Sequence, residues 1–526
     1  MQYNLQEITK DFMTKGLFSE YLPLNFNLEN SNIDIFNDIE ISQSSDYIEP
    51  YKYTMSRFMD NEKRRVIYLP ELTAYLTVVK YMKEKNIIKE LIDISIQGNN
   101  SFSKLVQADG MLSKHEISYD ISRSIDDKND EFAKSTYIPN VVEKINRAKG
   151  AKGILSLDIS NFYGSIYTHI LPSIRLGYEE ANKQYKISLG NMQDENVTSE
   201  YKKYKELDAK VRTLNAGRTN GLLTGTLISH FIAEALLSQI DKEIEREKIA
   251  FVRYADDYEV FIYNKNDIEI TSSNLSNIIA KYHFSFNNEK TRYVSFPYYA
   301  VENLEKIYSK YASAEVDSAE IIELFNKFFT LEKDGTKGAI RYLIKSIDKR
   351  LKIRDKEVYA SFLLNVLVND NRSLIKVCEL IISEKGKLDF SNEHIAIIKN
   401  LLIQCIAEKK DLEVIWLVNL LKNLGVNKLD ESIVKSIINS ENELAMVIVI
   451  DEYECCMTDE IKNVCIQLAK SWILLYQLYL KNYISKREFE ARTRIKKNVA
   501  FYATLKRKKF SFYKPIGSKI RRSLCF

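Results

Sequence analysis

Three aspartates stand at the ends of β-type runs, where carboxylates can bind metal ions. Asp256 and Asp257 separate the runs AFVRYA and YEVFIYN, so we expect both at the tip of a hairpin. Asp158 ends the apolar run KGILSLDIS and could meet Asp256 across adjacent strands. Carboxylates this close repel each other unless a cation neutralises them. Phosphoryl transfer with two Mg²⁺ ions, which lie about 3.5–4 Å apart, uses such carboxylates from separate strands.

The acidic pair alone does not establish a metal site, because aspartate is a common turn former and a solvated Asp-Asp turn is the alternative. The third carboxylate, Asp158, favours the metal. A further signal is the segment from Asn220 to Asp241, where a turn bounded by Gly221 and Gly225 leads into an amphipathic helix. Glycines there would let the backbone approach a bound nucleotide or template closely, although glycines before a helix are common.

These elements occur in the order of reverse-transcriptase motifs A, B, C and D. The motifs are Asp158-x-x-x-Phe162-Tyr163, Gly221-Leu222-Leu223-Thr224-Gly225, Tyr254-Ala255-Asp256-Asp257 and Asn287-Asn288-Glu289-Lys290-Thr291, within residues 152–165, 220–241, 251–264 and 284–297. Residues 55–300 therefore resemble a reverse transcriptase. RRVIYLP at 64–70 is similar to the fingers strand that precedes the motifs.

The resemblance implies a role for each acidic residue and for one aromatic residue. Asp158 and Asp256 would be the main ligands of two Mg²⁺ ions, for which Mn²⁺ could substitute, and Asp257 would be the auxiliary ligand. Tyr163 falls at the steric-gate position, where an aromatic ring crowds a ribose 2′-hydroxyl. Deoxynucleoside triphosphates are then the expected substrates, and a core aromatic is the compatible alternative reading of Tyr163.

The resemblance also implies nucleotide contacts outside the acidic residues. Arg64 or Arg65 would contact phosphates, Lys290 would lie near the triphosphate, and Gly225 would approach the nucleotide through its backbone. For the three basic residues, a solvated surface charge is the alternative.

Two departures from the usual pattern narrow the resemblance. Motif B usually reads Leu-Pro-Gln-Gly, whereas Leu222-Leu223-Thr224-Gly225 stands here. No thumb, RNase H or integrase pattern follows motif D, and helical segments take the thumb's place. This combination resembles bacterial defence-associated reverse transcriptases, particularly the abortive-infection group with AbiA and AbiK. That resemblance implies antiphage DNA synthesis that is protein-primed and in some cases untemplated, a trimer or hexamer, and in some cases a non-coding RNA partner.

The expected fold is α+β for residues 1–300, as palm and fingers, followed by an all-α HEAT-like repeat domain at 301–495. Apolar residues recur at helical spacing in five segments. These are 356–368, 371–384, 393–408, 411–424 and 430–439. An irregular α-helical domain is the alternative to a repeat.

The tail from 496 to 526 contains ten Lys or Arg and no acid, so the rest of the chain has a net charge of −6. Basic groups and aromatic rings together are typical of single-stranded nucleic-acid binding, including a single-stranded DNA product. The candidate residues are Lys506, Arg507, Lys508, Lys509, Phe512 and Tyr513. A solvated tail or a packing contact with a neighbouring subunit is the alternative.

Composition excludes several other classes. A chain of 526 residues predicts two or more domains, and its longest apolar stretch, Leu444 to Ile450, is too short for a membrane helix. The segment MQYNLQEITKDF does not have the apolar character of a signal peptide, so we expect a cytoplasmic protein, and the resemblance implies a bacterial one. The six cysteines all lie beyond residue 370 without a C-x-x-C pair, which argues against zinc. Among 33 tyrosines none is marked as a primer, so the priming residue stays unknown.

Three other functions compete with an untemplated polymerase. An RNA-templated enzyme of the retron or group II intron kind shares the core but would normally carry a thumb. A nucleic-acid-binding scaffold with an inactive palm is disfavoured, because three unneeded carboxylates carry an electrostatic cost. A nucleotide cyclase also uses two carboxylates and two metals, but motif B and the basic fingers residues argue against it.

Overall fold

The computed structural model describes residues 3–29, 40–41, 47–56, 64–106, 137–298, 304–311, 315–336, 338–347, 351–385, 388, 390–493, 495 and 497–517. The described helices before residue 300 are α1 (Leu5–Thr14), α2 (Leu72–Glu84), α3 (Ile87–Gln97), α4 (Tyr137–Arg147), α5 (Phe162–Ser165), α6 (Ser173–Leu176), α7 (Tyr178–Gly190), α8 (Ser199–Leu214), α9 (Leu227–Arg246) and α10 (Ile268–Lys281). The strands there are β1 (Tyr51–Ser56), β2 (Arg64–Leu69), β3 (Gly153–Asp158), β4 (Phe251–Tyr254), β5 (Asp257–Ile262) and β6 (Arg292–Ser295).

The palm is a four-stranded antiparallel sheet in the order β4-β5-β3-β6. β3 takes a central place because GILSLD is apolar on both faces, and five of its six residues are buried. Helix α9 begins at the N-cap Thr226, whose hydroxyl accepts from the Ser229 N–H. Its first turns are apolar on nearly every side, so α9 is buried against α3, α6 and α10. β1 and β2 form a separate antiparallel pair, in which β2 is the strand predicted for the fingers and β1 was not predicted.

The second half of the chain is almost entirely helical. Its helices are α11 (Leu304–Ser309), α12 (Ser318–Lys333), α13 (Ala339–Ser346), α14 (Lys356–Asn369), α15 (Leu374–Glu384), α16 (Asn392–Ala407), α17 (Asp411–Asn423), α18 (Glu431–Asn439), α19 (Glu443–Glu452), α20 (Asp459–Leu468), α21 (Trp472–Leu480), α22 (Lys486–Thr493) and α23 (Val499–Arg507). Two short parallel strands, β7 (Glu315–Val316) and β8 (Lys352–Ile353), accompany them. Helices α14 to α18 match the five predicted segments.

The helices of this half alternate between two layers. In the outer layer α12, α14, α16, α18 and α20 pack one on the next. In the inner layer α13, α15, α17, α19 and α21 do the same, and α17 also contacts β1 of the fingers. Each outer helix from α12 to α18 pairs with the inner helix that follows it. This stacking of helix pairs is the predicted HEAT-like repeat. The domain boundaries at 300 and 495 stay a prediction.

The C-terminal segment does not have the predicted exposed aromatic rings. Phe510, Phe512 and Tyr513 are each 0% exposed. The Phe512 ring packs on Trp472 and Tyr476, with its centroid 4.8 Å from that of Tyr476. Phe512 and Tyr513 therefore cannot stack on bases in this fold, and that part of the prediction is wrong. Burying these rings in the core is favourable, even though the residues beside them in the sequence are charged.

This segment also pairs with the N-terminal part of the chain. The Asn27 N–H donates to the Phe512 carbonyl at 3.1 Å, and the Lys514 N–H donates to the Asn25 carbonyl at 2.7 Å. The Tyr513 ring lies 5.2 Å from the Phe26 ring. These contacts join the two ends of the described chain.

The four predicted cations of the tail differ in surroundings. Lys506 lies over the Tyr479 ring at 3.7 Å, whereas Arg507, Lys508 and Lys509 are exposed. Phosphate contact by these exposed residues stays a prediction. Residues 496 and 518–526 of the predicted tail, with Cys525, lie outside the described residues.

Candidate active site

The three predicted carboxylates lie at one edge of the palm sheet. Asp158 and Asp257 are direct cross-strand partners at the ends of β3 and β5. Asp256 occupies the turn between β4 and β5, and its carbonyl accepts the Ile159 N–H at 3.2 Å. Ala255, before it, has a left-handed backbone with φ of +52°, which lets the turn close over two residues. The predicted hairpin, with its acids next to Asp158, is confirmed.

The carboxylates perturb one another. Burial and then the charge of Asp158 raise the pKa of Asp256. Burial, the charge of Asp256 and a hydrogen bond with Asp158 raise the pKa of Asp257 to about 7, although its side chain reaches the surface of the cleft. The site therefore resists carrying three negative charges, as closely spaced acids do without a cation.

A lysine supplies part of the missing positive charge. The Lys290 ammonium lies 2.5 Å from Asp158 Oδ2, and the side chain of Lys290 is 37% exposed. The loop that carries Lys290 is anchored because the Asn287 N–H donates to the Asp158 carbonyl at 2.7 Å. Lys290 was predicted to lie near the triphosphate, and the structure places it on the first metal-ligand candidate. The Lys290 ammonium neutralises the charge of Asp158, as a bound metal cation would.

Within the described ranges, no group of three or more His, Cys, Asp or Glu side chains is arranged to hold a metal ion by itself. The donor set nevertheless fits Mg²⁺, which prefers carboxylate oxygens and usually completes its coordination with waters and substrate phosphates. The observation that supports the fit is the Lys290 ammonium bound to Asp158. Asp158 and Asp256 would hold the ions, with Asp257 beside them.

Asp256 and Asp257 line a cleft of about 800 Å³. Its walls come from residues 19–21, from β2, from 161–164, from 220–227 and from the turn 254–257. Fingers and motifs A, B and C thus surround one space. Its size lies within the ordinary range of small-molecule sites, which suits a nucleotide.

Tyr163 lies in this cleft beside the acids. Its side chain is half-buried, and burial followed by the charge of Asp256 raises the pKa of its hydroxyl. The Tyr163 carbonyl accepts the Leu222 N–H at 2.8 Å, which ties motif A to motif B. The ring is therefore held by its backbone next to the predicted metal ligands, as the steric-gate reading requires.

The two fingers arginines have different surroundings. The Arg64 guanidinium binds Glu413 of α17 through two hydrogen bonds, with Nη2 2.5 Å from Oε2. Both side chains are at most 15% exposed. The neighbouring Thr54 is bound to Asp411. Arg64 therefore joins the fingers to the helical domain. Arg65 is exposed, and its charge opposes part of the rise in the pKa of Asp256. A phosphate contact by Arg65 stays a prediction.

Gly225 allows two segments of the protein to pack closely. Its φ is +113°, and an added Cβ would lie 2.6 Å from Ile67 Cγ2 of β2. The adjacent Thr224 carbonyl accepts the Tyr68 N–H at 2.9 Å. Gly221, with φ of +88°, similarly leaves room for the backbone of Gly164. Both glycines line the cleft, but the close contacts seen are with protein rather than with a ligand.

A buried charge network beneath the acids was missed by the sequence analysis. Arg253 is 0% exposed and binds Glu234 at 2.9 Å and Asp241 at 2.8 Å. It also donates to the Ala255 carbonyl at 2.9 Å, while the Ala255 N–H donates to Ser103 Oγ at 2.8 Å. The N–H and the carbonyl of Ala255 are thus both hydrogen-bonded to side chains. The available signal was one arginine inside the strand FVRY and two acids inside the apolar helix α9.

Comparison with known proteins identifies the class of this site. Residues 99–343 match the family model described as reverse transcriptase (RNA-dependent DNA polymerase). The chain therefore contains a reverse-transcriptase domain, which is a nucleotidyltransferase of the polymerase type. A comparison with curated proteins gives no match.

Solved structures of yeast telomerases are among those similar to the chain. Apo telomerase from Candida tropicalis is 11% identical with a TM-score of 0.32, over 80% of this chain and 70% of that one. Telomerase from Candida albicans, in complex with a fragment of telomeric RNA, is 13% identical with a TM-score of 0.25, over 84% and 65%. Scores this low carry no argument beyond the family match. Among the described helices, none is long and apolar enough to cross a membrane.

Proposed function

We propose that the protein is a DNA polymerase that joins deoxynucleotides by two-metal phosphoryl transfer. The observation that carries the proposal is the cross-strand pair Asp158 and Asp257, with Asp256 in the adjoining turn. Asp256 and Asp257 line a cleft that Tyr163 and Arg65 also line. These groups can bind cations, triphosphate and sugar in one space.

Each residue would have one task in that reaction. When bound, Mg²⁺ would lower the pKa of the attacking hydroxyl and balance the charge of the triphosphate. Asp158 and Asp256 would hold the two ions, and Asp257 would stay beside them. Arg65 would bind the phosphates, and the Tyr163 ring would exclude a ribose 2′-hydroxyl. The Lys290 ammonium, once displaced from Asp158, would neutralise the pyrophosphate that leaves as the new ester bond forms.

We further propose that this activity serves antiphage defence in the bacterial cytoplasm, with protein-primed synthesis that needs no template. The support is the motif resemblance together with the HEAT-like domain in the thumb's place. A trimer or hexamer and a non-coding RNA partner are proposals on the same basis. The alternatives are a templated reverse transcriptase that copies a dedicated RNA and a binding scaffold with an inactive palm.

One experiment separates these functions. The purified protein is incubated with Mg²⁺ and each labelled deoxynucleotide without template or primer, beside an Asp256→Asn control. We expect long DNA from the wild type and none from the variant, with product that migrates with protein until protease is added. The labelled peptide would identify the priming residue. DNA synthesis only after RNA from the source cell is added would mean a templated enzyme. No synthesis under either condition would reject the polymerase in favour of the scaffold.

A further inference from the structure

Cations lie both at the cleft wall and on the inner layer of the helical domain. Arg65 is exposed at the cleft wall. Arg341 and Lys345 lie four residues apart on α13 and therefore share one face of that helix. Lys376 lies on α15, which packs against α13. We name Arg65, Arg341 and Lys345 the cation row.

The inner layer reaches the cleft through a direct contact. Helices α13, α15 and α17 are stacked in that order. Trp416 of α17 donates its indole N–H to the Tyr21 carbonyl at 2.7 Å, and Tyr21 lines the cleft. The charges of Arg65 and Arg341 both act on the Tyr21 hydroxyl. Glu20, also in the cleft wall, acts on Lys345. Arg341 and Lys345 are thus close enough to the cleft wall for their charges to act on residues 20 and 21.

Lys345 differs from its basic neighbours in forming no close ion pair within the described part of the chain, although the charges of Glu20 and Glu379 act on it. Lys376 binds Glu379 at 2.6 Å, and Arg372 binds Glu332 at 2.9 Å. Lys345 is half-buried, and burial followed by the charges of Arg341 and Lys376 lowers its pKa to about 7. A half-buried amine among like charges is costly unless an anion arrives. A phosphate group would supply that anion.

We propose that the cation row binds the sugar–phosphate backbone of single-stranded DNA where the strand passes between the cleft and the helical domain. This inference rests on the proposed function, since the strand is the polymerase product. The inner-layer helix α13 would then hold the DNA strand, a role for which the sequence shows no thumb. Phosphates are the expected contact because guanidinium and ammonium groups bind them in any sequence.

The test measures DNA binding without nucleotides, so its outcome is independent of synthesis. Fluorescein-labelled oligothymidylate of 30 residues is titrated with wild type, with Arg341→Gln/Lys345→Gln, and with Lys327→Gln as a matched control. Lys327 is an exposed lysine of the outer-layer helix α12. Binding is measured by anisotropy between 50 and 300 mM salt, and circular dichroism checks that each variant is folded.

Each lost contact should reduce the salt dependence of log Kobs by about 0.7 for a single strand, so the double variant should lose about 1.4. The same contacts imply binding about 25-fold weaker at 0.1 M salt. Lys345→Arg should keep the wild-type slope, since it keeps the cation. An unchanged slope in a folded double variant overturns the inference, as does an equal loss in Lys327→Gln. Competition by inorganic triphosphate at micromolar concentration would also overturn it, by assigning the row to the nucleotide.

Discussion

Replacing Arg253 by methionine tests whether the buried network holds the catalytic turn. Methionine keeps much of the side chain's length but removes a guanidinium that has contacts with two carboxylates and a carbonyl. Glu234 and Asp241 are only 3% and 2% exposed, so water cannot replace the lost partner. Removing one member of a buried ion pair costs about 3–5 kcal/mol. Two carboxylates lose their cation here, so the upper part of that range is expected near pH 8.

The loss should be smaller at lower pH. Burial raises the pKa of Asp241 to about 6, despite the nearby charge of Arg253. Removing Arg253 takes away a charge that lowers this pKa, so Asp241 of the variant takes up a proton more readily as the pH falls, and less charge is then left unpaired. A variant that also carries Glu234→Gln and Asp241→Asn should regain much of the stability, because no buried charge remains unpaired. Synthesis should stay impaired in both variants, since the Ala255 carbonyl has lost its donor.

Hydrogen exchange followed by mass spectrometry is the suitable assay, because it reports on peptides from α9 and β4 separately. Every 1.4 kcal/mol is tenfold, so exchange in these peptides should be faster by about 10²-fold or more. Arg246→Met, at the exposed end of α9, is the matched control and should change stability by less than about 0.5 kcal/mol. If Arg253→Met exchanges at the wild-type rate at pH 8, the network does not stabilise the turn and our reasoning is refuted.

Three other predictions concern separate parts of the chain. Tyr163→Val should reduce the preference for dATP over ATP by about 10- to 200-fold, because a smaller side chain no longer crowds the 2′-hydroxyl; competitive incorporation measures this, and unchanged preference would remove the steric-gate role. Phe512→Ala should cost about 3–5 kcal/mol, because it empties a site that is 0% exposed; denaturant unfolding measures it, and a loss under 1 kcal/mol would contradict the observed packing. Burial raises the pKa of Asp451 to about 6, above its unfolded value, so wild-type stability should fall by up to about 3 kcal/mol as the pH rises from 4 to 7. Asp451→Asn should lack that part of the pH dependence, and identical pH profiles would argue against the raised pKa.

The parts of the fold that were predicted depend on local order in the sequence. Asp256 and Asp257 were placed at a hairpin tip because the runs on either side are β-type over six or seven residues. Helices α14 to α18 were predicted because apolar spacing is repeated within each segment. Both patterns are read within about fifteen residues. In these segments the tertiary structure keeps the local structure that the pattern predicts.

The parts that were missed depend on partners distant in the chain. Nothing near Arg64 indicates that its guanidinium meets Glu413 rather than a phosphate, although both are anions. The aromatic residues of the tail have the same composition whether they stack on bases or enter a core, and only the fold shows that Phe512 meets Trp472. Gly225 lines the cleft, as its place in motif B suggested. A positive φ, however, permits a close contact with protein as well as with a ligand, and the sequence does not distinguish the two.

The pairing of Asn25 with Lys514 imposes an order of events on synthesis of the protein. The Asn25 side chain and its carbonyl both bind Lys514, across 489 residues of sequence. At about 5–20 residues per second, the later partner leaves the ribosome about 25–100 s after the earlier one. During that interval residues 19–21, which form one wall of the cleft, lack the segment that holds their neighbours in place. A growing chain thus carries Asp158, Asp256 and Asp257 well before the segment that pairs with Asn25 has been synthesised.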